Sequence, residues 1–94
     1  MKTIWKYPAI INDTIRFEMQ ENAEILKVAI TKPRYLAIWA LVDPGATLEP
    51  RYIRVIDTDV SIPDLHSLDY IDTVIDGPFV WHIFEKNRRR QYEE

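Results

Sequence analysis

Cysteine is absent from the chain, and its absence excludes several kinds of chemistry. The protein cannot form disulfides, present a thiolate nucleophile or build a cysteine-based zinc site. With two serines and two histidines in 94 residues, it also has little material for a hydrolytic triad. No motif specifies a cofactor. The sequence therefore predicts a protein that is not an enzyme and that needs neither a cofactor nor a metal.

Positive charge is not in excess, and long apolar runs are missing. The net charge of −3 argues against binding to a nucleic-acid polymer, because such binding needs lysines and arginines gathered on one face. Residues 1–6 contain no long apolar stretch, so they predict neither a signal peptide nor a membrane anchor. A cytoplasmic protein without membrane contact is expected.

The main pattern in the sequence is an alternation of apolar and polar residues. It predicts strands over residues 3–7, 14–20, 25–32, 52–57 and 70–75. The segments 35–42 and 79–84 are apolar on both faces, which is typical of central strands. Pro8 is expected to end the first strand and Pro50 to precede the fifth, while Gly77 should form a tight turn between the last two.

Seven short strands separated by turn signals predict an all-β fold, either a compact antiparallel sandwich or a small barrel. The longest loop, residues 58–69, is expected to contain one helical or 3-10 turn. Residues 1–85 form the single predicted β domain, and residues 86–94 form a charged tail. The alternation predicts a core that contains Leu26, Val28, Ile30, Ile38, Leu41, Val42, Ile53, Val80 and Ile83.

Acidic residues are concentrated around the long loop and the strand after it. Asp57 and Asp59 open like a calcium-binding loop, but Ile62 and Leu68 occupy the positions where such a loop needs glycine and glutamate. Two interpretations stay open for these residues together with Asp72. They are solvated turn aspartates, or they converge on a cation.

Arginines close to aromatic residues are the candidate ligand-binding groups. Arg51 and Arg54 flank Tyr52 and should face opposite sides of one strand, whereas Trp5 and Tyr7 share a face of the first strand. An aromatic surface beside an arginine suits a nucleotide-sized anion, through stacking and charge. We therefore predict ligand binding by these five residues, with ordinary surface and core roles as the alternative.

One histidine lies within an apolar segment. His82 follows Trp81 and should share a strand face with Val80 and Phe84, which is typical of a half-buried packing residue whose polar atoms are satisfied. The first strand is expected to be an edge strand, because an aromatic face and a following proline suit that position. Pairing of this edge with a second copy would satisfy its backbone, so a homo-oligomer is predicted.

Five motifs occur in order along the chain: MKTIWKY (residues 1–7), AEIL (23–26), WALVDP (39–44), YIDT (70–73) and FVWHIFE (79–85). This set resembles a family of short, uncharacterised proteins encoded by bacteriophages and by phage-related regions of bacterial genomes. The resemblance covers nearly the whole chain up to Glu85. It implies a phage origin and a compact β fold, and it carries no known activity or catalytic residues. A protein of this origin is expected to act in the host cytosol.

Three functional hypotheses follow from the residues and the resemblance. The first is a non-enzymatic binding module, most specifically an anti-defence protein that sequesters a small nucleotide signal. The second is an interaction protein that inhibits or assists a host or phage enzyme through a protein–protein surface. The third is a small hydrolase that uses the aspartate cluster.

Overall fold

The structure, a computed structural model, describes residues 1–88. These residues form seven strands, β1 to β7, and one 3-10 turn. The strands are β1 (Thr3–Ile10), β2 (Thr14–Gln20), β3 (Glu24–Lys32), β4 (Tyr35–Val42), β5 (Leu48–Asp57), β6 (Leu68–Asp76) and β7 (Phe79–Lys86). The 3-10 turn, Leu65–Ser67, lies in the predicted loop directly before β6. The all-β prediction is confirmed.

Two antiparallel sheets pack face to face. The first has three strands in the order β1-β4-β3, and the second has four in the order β2-β5-β7-β6. The main core combines side chains from both sheets, and neither sheet closes on itself, so the fold is a sandwich and not a barrel. The segments that are apolar on both faces, β4 and β7, are interior strands as predicted.

Two prolines lie inside strands, contrary to the prediction that they bound them. Pro8 lies within β1, which continues to Ile10. Because β1 is an edge strand, the missing N–H of Pro8 can face away from the ladder. Pro50 lies within β5 and pairs with Glu18 of β2. The pairing of β5 with β7 begins only at Ile53, so Pro50 has a strand neighbour on one side alone.

Of the nine predicted core residues, five are buried, three are half-buried and one is exposed. Val28, Ile38, Val42, Ile53 and Ile83 are buried. The predicted core residues that are half-buried are Ile30, Leu41 and Val80. The prediction was wrong for Leu26, which is 46% exposed. A register shift between Ile25 and Lys27 makes Leu26 the extra residue of a bulge, and strict alternation cannot anticipate such an insertion.

The predicted charged tail begins inside the last strand. Lys86 belongs to β7 and pairs with Leu68 of β6. The backbone N–H of Asn87 donates to the carbonyl oxygen of Ser67 at 2.8 Å, and an Arg88 guanidinium nitrogen lies 3.1 Å from a carboxylate oxygen of Glu49. The rest of the tail, residues 89–94, lies outside the described residues.

The outer faces of the two sheets are covered differently. The long loop lies against the outer face of the four-stranded sheet, where Ile62 packs on a second, small core of Ile56, Leu68 and Phe84. Within residues 1–88, no segment covers the outer face of the three-stranded sheet in the same way. The described part of the chain also contains no helix long and apolar enough to span a membrane.

Candidate functional site

Three turns meet at one end of the sandwich. They are the β1–β2 connection, the β3–β4 turn and the β6–β7 turn. The backbone N–H of Ile11 donates to the carbonyl oxygen of Arg34 at 2.9 Å, and the backbone N–H of Arg34 donates to Oδ2 of Asp76 at 3.1 Å. The β3–β4 turn is thus hydrogen-bonded to both of the other turns.

Two of these turns contain a residue with a left-handed backbone. Gly77 has φ 58°, as predicted for the tight β6–β7 turn, and glycine adopts this conformation without strain. Arg34 has φ 69°, where a residue with a Cβ is disfavoured by about 1–2 kcal/mol. The strain at Arg34 is a reason to look for a role of its side chain.

A pair of stacked aromatic rings lies beside the turns. The rings of Phe79 and Trp81 are nearly parallel, with an interplanar angle of 16° and centroids 5.3 Å apart. The indole N–H of Trp81 donates to Oδ2 of Asp76 at 3.4 Å. The buried Asp76 carboxylate therefore orients the indole ring and holds the Arg34 backbone at the same time.

The turns and the aromatic pair enclose a cleft of about 260 Å³. Its lining residues are Ile11, Asn12, Asp13, Arg34, Val55, Asp76, Phe79 and Trp81. Phe79 remains 44% exposed, so one of its ring faces can accept a further flat group. This volume lies just below the usual range for small-molecule pockets, which suits a ligand no larger than a mononucleotide.

The Arg34 side chain is an available cation beside this cleft. It is exposed, and within residues 1–88 its guanidinium makes no ion pair or side-chain hydrogen bond. Asn12 and Asp13 add polar groups to the lining of the cleft. The arrangement can stack a planar ring, pair an anion with Arg34 and accept N–H donors at Asp13.

The structure does not bring the five predicted ligand-binding residues together. Arg51 lies in the core, 3% exposed, and its guanidinium forms a two-bond pair with the Glu85 carboxylate. Its remaining terminal nitrogen donates to the carbonyl oxygen of Ala23 at 2.8 Å. With these partners, Arg51 has no route to a ligand at the surface.

Tyr52 and Arg54 lie on the opposite side of β5 from Arg51, as the sequence predicted. They line a separate cleft of about 220 Å³ on the outer face of the four-stranded sheet. Arg54 is already paired there with Asp64 at 2.9 Å, and this contact lowers the pKa of the Asp64 carboxyl. Tyr52 hydrogen-bonds with Arg16, which raises the pKa of that guanidinium. The charge of Arg54 in this cleft is therefore already neutralised.

Trp5 and Tyr7 lie on the inner face of β1, in the other sheet. The Tyr7 hydroxyl donates to Oε1 of Gln20 at 2.8 Å, and its ring meets Phe17 edge to face. Burial raises the pKa of Tyr7, an effect that the positive charge of Arg51 partly opposes. Tyr7 is a packing residue, whereas Trp5 remains 40% exposed at the sheet edge.

The aspartates around the long loop form local bonds. The Asp57 carboxylate accepts from the Thr58 backbone N–H, and the Asp72 carboxylate accepts from that of Thr73, each at 2.8 Å. In the described range, no three histidine, aspartate or glutamate side chains are grouped so that they could hold a metal ion. The geometry favours local structural roles for these residues, with Asp57 and Asp59 at the turn after β5 and Asp72 beside the bulge within β6.

His82 lies on the outer face of β7, with both ring nitrogens bonded. Its Nε2 is 2.9 Å from the Thr58 hydroxyl, and its Nδ1 is 3.1 Å from the Thr73 hydroxyl. The Thr73 hydroxyl also contacts the Tyr70 hydroxyl at 2.6 Å. The side chain is half-buried, so the prediction of a satisfied packing histidine is confirmed.

Sequence reasoning did not single out Phe79, Trp81, Asp76 or Asn12 as site residues. The available signal was the pair of aromatic residues two positions apart directly after a tight turn, which places both rings on one face of β7. Their neighbour Arg34 is 45 positions from Phe79 along the chain, so only the packing of the sheets brings it to them.

The fold and the cleft define a small antiparallel β-sandwich with an arginine and an aromatic pair at one end. The family model of a domain of unknown function, DUF7352, matches residues 1–94, and the chain belongs to that family. No curated protein and no solved structure matches the chain.

Proposed function

We propose that the protein is a non-enzymatic binding module that sequesters a small nucleotide in the cleft at the end of the sandwich. The observation that carries the proposal is the exposed Arg34 guanidinium, without an ion-pair partner in residues 1–88, beside the stacked rings of Phe79 and Trp81. A planar base would stack on the open face of Phe79, and a phosphate would pair with the guanidinium.

The competing cleft at Tyr52 and Arg54 supports this proposal less well. Its arginine has a carboxylate partner in Asp64, which a ligand would have to displace. Arg34 requires no such exchange, because its guanidinium makes no ion pair within residues 1–88. Its left-handed backbone gives a second reason, because a residue kept in a strained conformation calls for a compensating role.

The biological role that fits such binding is anti-defence action in the host cytosol. The support is the resemblance to short phage proteins, together with a cleft whose volume and lining suit a mononucleotide. In an infected cell, the protein would lower the free concentration of a nucleotide signal by binding it. Sequestration of this kind requires a ligand that is bound and released chemically unchanged.

Isothermal titration of the purified protein with AMP, GMP, CMP and UMP tests the binding proposal. We expect at least one nucleotide to bind and its nucleoside to bind more weakly, because Arg34 would lose its phosphate partner. Arg34→Gln should weaken nucleotide binding by about 10-fold, the effect of losing one charged hydrogen bond. The matched control is Arg16→Gln, an exposed arginine on β2 outside the cleft, which should bind like the parent chain.

Two results would contradict the proposal. Absence of binding for all four nucleotides at millimolar concentration would exclude the cleft as a mononucleotide site. Conversion of a bound nucleotide to product, seen by chromatography after prolonged incubation, would show an enzyme and not a sequestering protein. Unchanged recovery of the nucleotide from a saturated complex is the expected outcome.

A second candidate function is supported by the outer face of the three-stranded sheet. Within residues 1–88 this face has no covering segment, and it carries the partly exposed side chains of Ile4, Ile10 and Trp39. An apolar centre of this kind is typical of a surface that binds a partner protein. In an infection assay, loss of protein activity by Trp39→Glu but not by Arg34→Gln would favour an inhibitor or accessory protein of a host or phage enzyme.

A further inference from the structure

The four sheet edges differ in how they are protected against pairing with another strand. β3 carries two register shifts and β6 carries one, and such bulges twist an edge away from a partner. β1 and β2 pair without any shift. On β2 the charged residues Arg16 and Glu18 alternate with the apolar ones, whereas Lys6 is the one charged residue within β1. The β1 edge has Lys6 and Pro8 to protect it, and Pro8 lies toward its C-terminal end, so residues 3–7 form the least protected edge segment.

Apolar side chains are exposed on both faces of this edge. Ile4 and Ile10 point outward from the sandwich and are 54% and 59% exposed. Trp5 points inward and is nevertheless 40% exposed, because β1 lies at the open side of the sandwich. A partner docked flat on the outer face would cover the two isoleucines and leave Trp5 in water. A strand added along the edge would cover residues on both faces and would satisfy the free backbone groups of β1.

We propose that β1 pairs antiparallel with β1 of a second copy, around a two-fold axis beside Trp5. The pairing joins the two three-stranded sheets into one sheet of six strands. A second copy fits because the contact is self-complementary, as in most homodimers. In the joined sheet, the inner faces of the two copies form one continuous face. Each Trp5 side chain is then covered by the Trp5 side chain of the other copy.

The side chains select this register. In an antiparallel pair, two residues directly opposite each other lie on the same side of the sheet. A two-fold axis that relates two copies of β1 must therefore pass at a residue position and not midway between two residues. An axis at Lys6 would oppose two ammonium groups directly, which is unfavourable. An axis at Tyr7 would place Pro8, which has no N–H to donate, within the central pairs. An axis at Trp5 opposes the two indoles, sets Lys6 against Ile4, leaves Pro8 near the end of the ladder and leaves Ile10 beyond it.

This dimer does not share the nucleotide cleft. The cleft begins at Ile11, beyond the end of β1, and lies about 20 Å from the axis at roughly 3.3 Å per residue. Each copy therefore keeps a complete cleft. Loss of the dimer and loss of nucleotide binding are separate outcomes.

Sedimentation equilibrium measures the proposed dimer directly. At high micromolar concentration we expect twice the chain mass of 11.2 kDa. Trp5→Lys should raise the dissociation constant by about 30-fold or more, as for a hot-spot residue, with an unchanged circular dichroism spectrum. The matched control is Ile75→Lys, which replaces a 71% exposed residue on the β6 edge and should leave the dimer intact. A monomer at every concentration overturns the proposal.

The absence of cysteine allows a second measurement that reports the register. Residues directly opposite each other across an antiparallel pair are close enough for a disulfide. Under mild oxidation, a mixture of the Ile4→Cys and Lys6→Cys chains should cross-link position 4 to position 6 faster than either chain cross-links to itself, and Trp5 stays in place. Cross-linking that is fastest within one variant, or equal in all combinations, overturns the proposed register.

Discussion

Replacement of the buried Arg51 is the most informative perturbation of this fold. The Arg51 and Glu85 side chains are 3% and 10% exposed, and they lie between the sheets. Two guanidinium nitrogens bond to the carboxylate, one of them at 2.9 Å, and a third bonds to the Ala23 carbonyl oxygen at 2.8 Å. Arg51→Met removes these bonds while it keeps an unbranched apolar side chain in the space.

The expected cost comes mainly from the carboxylate that is left behind. Removing one partner of a buried ion pair costs about 3–5 kcal/mol, because the other charge stays desolvated. Arg88 lies 3.6 Å from the same carboxylate and partly replaces the lost cation, so the lower end of this range applies. A domain of this size has only about 5–15 kcal/mol of stability, so Arg51→Met should unfold at a much lower urea concentration.

A double variant separates the pair from its surroundings. Arg51→Met combined with Glu85→Met leaves no buried charge, and such apolar replacements are often neutral. The Ala23 carbonyl oxygen still loses its donor, which costs about 1–3 kcal/mol. The double variant should therefore be more stable than Arg51→Met alone.

Urea titrations followed by tryptophan fluorescence measure these differences, with Arg16→Met as a control. Arg16 is paired with Glu18 on the surface, where loss of an ion pair costs about 0–1 kcal/mol. The reasoning is refuted if Arg51→Met lowers the free energy of unfolding by less than about 1 kcal/mol, because leaving a single buried hydrogen-bonding group without its partner costs at least that much. It is also refuted if the double variant loses as much free energy of unfolding as the two single variants lose when their losses are added.

Two further predictions concern the strained turn and the buried tyrosine. Arg34→Gly should raise the free energy of unfolding by roughly 0.5–1 kcal/mol, because relief of the left-handed strain exceeds the added chain entropy. Arg34→Ala keeps the strain, and an equal gain for both variants in urea titration would contradict this cause. Burial raises the pKa of Tyr7 above 10.0, so the unfolded chain loses this proton first and stability falls as pH rises above 10. Tyr7→Phe should reduce that fall between pH 10 and 11, and an unchanged pH slope would refute the assignment.

Much of the fold could be predicted from period-two alternation, because the pattern records which face of each strand is buried. The interior positions of β4 and β7 followed from their apolar character on both faces. Where the backbone departs from regular geometry, the pattern fails. Leu26 is displaced by a bulge, and Pro8 and Pro50 are tolerated because one side of the chain has no strand neighbour.

The candidate site was less predictable, for a physical reason. Alternation correctly put Arg51 and Arg54 on opposite sides of β5, but it did not show that the face of Arg51 lies in the core. The cleft instead joins turns that are far apart along the chain, around Asn12, Arg34 and Asp76. Their proximity depends on how two sheets pack, and no local pattern in the sequence contains that information.

The strand order also constrains how the chain can fold as it is made. Neither β1 nor β2 pairs with a strand that adjoins it in sequence, since β1 pairs with β4 and β2 with β5. On the ribosome, both segments must wait for partners that emerge dozens of residues later, which takes seconds at about 5–20 residues per second. The hairpin of β3 and β4 can close in the meantime and present a free edge for β1. The N-terminal segments thus join a sheet that later parts of the chain have begun.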